Sequence, residues 1–210
     1  MKMNLCVASI VVVGAMASAT ASADWSGPYV GGTLGVVGAR EHIDSDEDGT
    51  PRDASMRGYG LGVFYGDNSQ KGKWVRGWEV DLSLFSVDGE SVVNGESSEY
   101  ANEIKANGHF RMRFGYEAGK FLPYVGYGLA WANTQMTITD GSAPESFNRM
   151  RVGLSLGLGV DFAVSSTMAL RAELVHDDYA SVSVGDDNGT ADSHNLALRT
   201  NTVRFGVMFK

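Results

Sequence analysis

Hydrophobicity in this chain changes at every second residue, in stretches of about 10–14 residues, and this pattern recurs eight times between residues 28 and 210. A period of two belongs to an extended strand, whose side chains point alternately to opposite faces; a helix repeats every 3.6 residues. Residues 56–66 show it plainly. Tyr59, Leu61, Val63 and Tyr65 share one face, and Gly58, Gly60 and Gly62 share the other. The remaining stretches are predicted at about 28–39, 74–85, 103–116, 121–137, 148–162, 168–179 and 199–210. Their length suits a tilted strand crossing a bilayer, which needs about 9–11 residues.

The connections alternate too. Those after the second, fourth and sixth stretches are short, at 67–73, 117–120 and 163–167, and the others are long and polar. Short turns on one side and long loops on the other, with an even strand count, fit an up-and-down membrane barrel with both termini at the short-turn end. The expected fold is therefore all-β: an eight-stranded antiparallel transmembrane β-barrel following a cleaved signal peptide.

Residues 1–23 carry that signal. Lys2 is the basic start, an apolar run covers Leu5 to Met16, and Ala21-Ser22-Ala23 offers the small residues of a cleavage site. The expected domains are thus residues 1–23 as signal peptide and 24–210 as barrel. The one cysteine, Cys6, lies in the apolar run, so the mature chain has none and must close its structure without disulfides. Joining the first strand to the last does this, because no sheet edge is then left unpaired.

Without Lys2 the chain has 16 basic and 25 acidic side chains, a net charge near −9, which argues against nucleic acid as a partner. With no cysteine left and the histidines dispersed, no metal or cofactor is expected.

Alternation alone does not say which face is inside. A soluble, lipocalin-like barrel turns its apolar face inward. Here the polar face is rich in glycine and in charges of both signs placed deep within strands. Aromatics gather near the short-turn strand ends: Tyr65, Trp74, Tyr116, Phe121, Phe162 and Phe209. Rings at that level resemble an interfacial girdle, so the apolar face is assigned to lipid.

The segment Arg111–Trp131, RMRFGYEAGKFLPYVGYGLAW, resembles the small porin-like outer-membrane proteins of alphaproteobacteria, the immunogenic outer-membrane protein type. So do the start DWSGPYVGGTLG, with Trp25, Gly27, Tyr29 and Gly31, the GWEVDLS around Glu79, and the ending NTVRFGVMFK. Such proteins are similar to the OmpA-type eight-stranded barrel. The resemblance implies residence in the outer membrane of a Gram-negative bacterium with the termini in the periplasm. It also implies insertion by the outer-membrane assembly machinery, contact with lipopolysaccharide, and a role in envelope integrity or a narrow pore. Arg204, Gly206 and Phe209 fit the terminal assembly signal, but the chain continues to Lys210 where such families have a further aromatic.

Three groups of residues could carry function. The first is the lumen set: Glu79, Asp81, Asp161 and Glu173 against Lys105, Arg111, Arg113, Arg151, Arg171 and Arg204. An eight-stranded barrel is only wide enough inside for side chains, so these charges must pair, either as a rigid plug or as a gate that exchanges partners. Asp161 and Arg171 are placed to face each other across the turn 163–167. The second is the acidic loop with Asp44, Asp46 and Asp48, which matches half of a calcium-loop pattern but has Ser55 where a bidentate Glu belongs. The third is the segment 181–198, with Ser193 beside His194, and His176 and Asp177 near the same rim. A lipid-A-modifying barrel enzyme needs a nucleophile and base in contact, and adjacency in sequence does not provide that. His109 is placed in the lumen as a hydrogen-bonding partner. The expected function is structural and not enzymatic. A lipid-A-modifying enzyme and an adhesin or receptor acting through acidic loops are the alternatives.

Overall fold

The alternating stretches do form strands, and the strands run longer than their apolar cores. The computed structural model describes residues 23–44, 52–88, 90–91, 99–139, 145–184 and 194–210. Eight antiparallel strands follow in chain order: β1 Gly27–Asp44, β2 Arg52–Lys71, β3 Trp74–Asp88, β4 Glu99–Tyr116, β5 Phe121–Thr139, β6 Glu145–Ala163, β7 Met168–Val184 and β8 His194–Phe209. A two-residue piece, Glu90–Ser91, carries the β3 edge further along β4. Each strand pairs with its neighbours in sequence, and β1 also pairs with β8, from Val30↔Phe209 to Asp44↔Asn195, so the sheet closes on itself. Closure gives every strand backbone two partners, the condition for sitting in hydrocarbon.

Apolar side chains face outward. Leu34, Leu61, Leu84, Leu154 and Phe205 are among many large hydrophobics left more than half exposed. A barrel in water would lose stability from such a surface; in lipid it is the matching one. Near the short-turn end, outward aromatics meet in pairs. Tyr65 and Trp78 lie 5.6 Å apart between ring centroids, Trp74 and Tyr116 5.2 Å, and Phe121 and Phe162 4.9 Å.

Two turns are tighter than the sequence indicates. The β2–β3 connection is Gly72-Lys73, not residues 67–73, because the polar residues Asp67 to Lys71 continue the ladder opposite Trp74 to Trp78. In the β4–β5 hairpin the strand bounds read from the sequence, 103–116 and 121–137, would set Tyr116 opposite Phe121; instead Ala118 bridges Phe121, and Met112 faces Tyr127. Gly119 makes this possible with φ of 69°, a left-handed conformation that costs glycine little. The shift is two residues, so every side chain keeps its predicted face.

The interior has three layers. At the short-turn end Trp25, Tyr29, Phe64, Val75, Leu122, Ala163, Ala169 and Met208 pack together. At the other end Val37, Ala39, Ile104, Ala130, Ala132, Tyr179 and Leu198 form a second apolar cluster. Charged residues occupy the space between. Trp25 precedes β1 and folds under the barrel, its backbone N–H donating to Gln70 Oε1 at 2.8 Å. Lys210 reaches the same end and donates to the Asp24 carbonyl. The Asp24 carboxyl is held below its ordinary range by the Ser26 backbone N–H.

Candidate functional site

Odd-numbered residues of β3, β4, β6 and β7 point inward, which brings Glu79, Asp81, His109, Arg111, Arg113, Asp161, Arg171, Glu173 and Asp177 into one lumen; β8 adds Arg204 from an even position. Each is at most 4% exposed. Four pairs face each other directly on neighbouring strands: Glu79 with Arg111, Asp81 with His109, Asp161 with Arg171, and Glu173 with Arg204.

Contacts across the lumen join these pairs into one network. Arg111 reaches Glu173 at 2.8 Å, Glu79 at 3.0 Å and Asp81 at 3.1 Å. Arg171 holds Asp161 at 2.8 Å and Glu79 at 2.7 Å. Arg113 holds Asp161 at 2.7 Å and lies 3.4 Å from Glu79. Arg204 joins Glu173 at 2.6 Å to Asp81 at 2.9 Å. Glu79 is the hub, with four guanidiniums, Arg204 the farthest at 3.9 Å, and the Tyr29 hydroxyl, which donates to it at 3.0 Å, around one carboxylate. Aromatic faces complete the packing: the Arg113 guanidinium sits 3.7 Å from the Tyr124 ring centroid, and that of Arg171 sits 4.2 Å from Phe64.

Five carboxylates and four guanidiniums meet here among the described residues. His109 stands between two of the carboxylates, with Nδ1 2.7 Å from Asp81 and Nε2 3.2 Å from Asp177. The first contact is a hydrogen bond; the second is in ion-pair range without hydrogen-bond alignment. A charged imidazole at this point makes the network neutral. Burying so many ions is costly unless each is paired and hydrogen-bonded, and here nearly every charged group has several partners. Space for the network is made by Gly157. A Cβ there would lie 2.5 Å from Arg111 Nη1 and 2.9 Å from Glu173 Oε1.

Two members of the sequence-predicted set lie elsewhere. Lys105 is exposed and outside the network, which corrects the expectation. The β4–β5 register shifts between Ile104 and Ala106, so Lys105 is the extra residue of a bulge. Beyond a bulge the faces exchange. Ile104, which unbroken alternation from Phe110 would turn outward, therefore enters the upper cluster and is 3% exposed. Arg151 is buried opposite Ala132 on β5, at the level of the upper apolar cluster. Asp44 is the last residue of β1, paired with Asn195, not part of a loop; Asp46 and Asp48 lie outside the described residues. Ser193 also lies outside them. His176 and Asp177 do not work together at a rim. His176 points outward and is exposed, whereas Asp177 is fully buried and accepts from the Thr200 hydroxyl at 2.9 Å. Sequence reading missed Asp177 and Tyr29 as lumen residues, although the strand parity that places Arg171 and Glu173 inside also places Asp177 there.

Comparison with known proteins gives one consistent result. The family model described as outer membrane protein beta-barrel domain matches residues 7–210. The chain is 30% identical over 190 residues to a 22 kDa outer membrane protein of Rhizobium leguminosarum bv. viciae, covering 89% of this chain and 78% of that one. It is 27% identical to the 31 kDa outer-membrane immunogenic protein of Brucella melitensis, covering 97% and 92%. Among solved structures, OprG of Pseudomonas aeruginosa has the same fold, with a TM-score of 0.51 at 14% identity over 88% of this chain and 96% of that one.

Proposed function

The chain belongs to the outer membrane β-barrel family, and on that premise we propose that it is a sealed structural barrel of the outer membrane, with at most a narrow pore and no enzymatic activity. The observation that carries this reading is the lumen. Nine charged residues and His109 bridge the cross-section between two apolar clusters, and the interior of an eight-stranded barrel has no width to spare. Ion passage would require several buried pairs to separate together. Each separation leaves an uncompensated buried charge.

The orientation follows from the connections. Gly72-Lys73, residues 117–120 and 164–167, Trp25 and Lys210 share one end, and we assign that end to the periplasm. Residues 1–23 act as a signal peptide removed during export, so the mature protein begins at Asp24. The assembly machinery of the outer membrane and lipopolysaccharide are its partners. A lipid-A-modifying role has less support, since His176 and Asp177 face opposite sides of the wall.

Planar-bilayer recording of the refolded protein, with heat-modifiable gel mobility to establish folding, tests the reading. The expected result is folded protein without discrete current steps. Reproducible steps overturn the sealed barrel and make the lumen charges the selectivity elements of a pore.

A further inference from the structure

The outer wall carries an arrangement that a sealed barrel does not need. Three rows of outward side chains cross β2, β1, β8 and β7. The lowest is Tyr59–Val36–Val203–Leu174, an apolar row. The next is Arg57–Gly38–Asn201–His176, and the next along β1, β8 and β7 is Arg40–Arg199–Asp178. The wall thus changes from hydrocarbon-like to charged and arginine-rich within four residues of Val36, roughly 13 Å along the strand.

Arg40, Arg57 and Arg199 are exposed on this face. Arg40 and Arg199 stand directly opposite each other, an arrangement in which like charges repel. Among the described residues Arg199 has Asp178 as its carboxylate partner, Nε to Oδ2 at 3.1 Å. Asp88 holds the register position opposite Arg57. Gly38 lies at the centre, and a Cβ built on it would meet nothing closer than the Asn201 carbonyl oxygen at 4.0 Å. The wall therefore has an open notch with Arg57 and Asn201 at its sides, Arg40 beyond it and Val36 before it. Asn201 is held on its β7 side, where its Oδ1 lies 2.9 Å from His176 Nδ1.

We propose that this notch holds the phosphate of a lipid headgroup in the leaflet at the long-connection end. Guanidinium forks match phosphate oxygens, and an anion placed among the three arginines removes the repulsion between Arg40 and Arg199. The occupant is a lipid and not a soluble anion because the notch opens onto the apolar row of Tyr59, Val36, Val203 and Leu174, where acyl chains lie. The assignment of this leaflet to the cell exterior, and so of the lipid to the phosphorylated glycolipid of that surface, rests on the orientation proposed above.

The test uses refolded full-length protein in phosphatidylcholine nanodiscs containing bis-phosphorylated lipid A, released into the gas phase for native mass spectrometry. The wild type is expected to retain lipid A, and a variant combining Arg40→Gln, Arg57→Gln and Arg199→Gln to lose at least tenfold of that retention. Gly38→Val fills the notch without a clash in the barrel. It is expected to lose retention by a similar factor while keeping heat-modifiable mobility, which separates binding from folding. Equal retention by the charge-neutralised variant, or equal retention of dephosphorylated lipid A, overturns the site. Displacement of lipid A by millimolar inorganic phosphate overturns the lipid assignment in favour of a free anion. Orientation is read separately. A Ser165→Cys variant labelled by an impermeant maleimide on intact cells would reverse the proposed orientation while leaving the nanodisc result standing.

Discussion

Arg171→Ala removes the residue that couples two carboxylates on opposite sides of the lumen. Its Nε holds Asp161 at 2.8 Å, its Nη1 holds Glu79 at 2.7 Å, and its guanidinium packs over Phe64 at 4.2 Å. Breaking a buried pair by deleting one partner costs about 3–5 kcal/mol. Here the lower end applies, because Asp161 keeps Arg113 at 2.7 Å and Glu79 keeps Arg111 at 3.0 Å. Loss of the contact with Phe64 adds about 1 kcal/mol. The expected destabilisation is therefore about 4 kcal/mol. Urea unfolding of the barrel in phosphatidylcholine vesicles, followed by tryptophan fluorescence and by gel mobility, measures it. Pairing Arg171→Met with Asp161→Asn removes both charges and keeps volume, and is expected to recover about half of the loss. A loss below about 1 kcal/mol for Arg171→Ala would show that the lumen is hydrated enough to screen these charges, and the sealed network would be refuted.

Other expectations follow from the same geometry. Arg111→Lys keeps the charge but cannot span Glu173, Glu79 and Asp81 together, so unfolding in urea should show a loss of about 2 kcal/mol. Lys105→Ala, at the bulge and outside the network, should change stability by less than about 0.5 kcal/mol, whereas Ile104→Ala, buried in the upper cluster, should cost about 2–3 kcal/mol. Gly128→Ala would set a Cβ 1.9 Å from the Phe110 carbonyl oxygen and 2.8 Å from the Arg111 Cα, and should cost about 3 kcal/mol by forcing β4 and β5 apart. Gly38→Ala meets no such obstacle and should be neutral or slightly stabilising in the same assay. Mass analysis of the exported protein should find Asp24 at its N-terminus; a retained residue 1–23 segment would refute the assigned cleavage.

Period-two alternation is a local property, so the sequence alone determined which faces were apolar, how many strands there were and which connections were short. It also placed Arg111, Arg113, Asp161, Arg171 and Glu173 on one face, and it could pair Asp161 with Arg171, because a single short turn lies between them. The tertiary structure decided what depends on distance around the barrel. Arg171 meets Glu79 and Arg204 meets Asp81 only once β1 has joined β8, since those contacts cross the lumen between strands that never pair. It also decided the fate of Lys105. One unpaired residue between Ile104 and Ala106 exchanges the faces of everything beyond it, and the residue pattern there carries no mark of the bulge. The basic notch over Gly38 belongs to the same class. Arg40, Arg57 and Arg199 are far apart in the chain, and only the register of β2, β1 and β8 sets them on one patch of wall at the edge of the apolar belt.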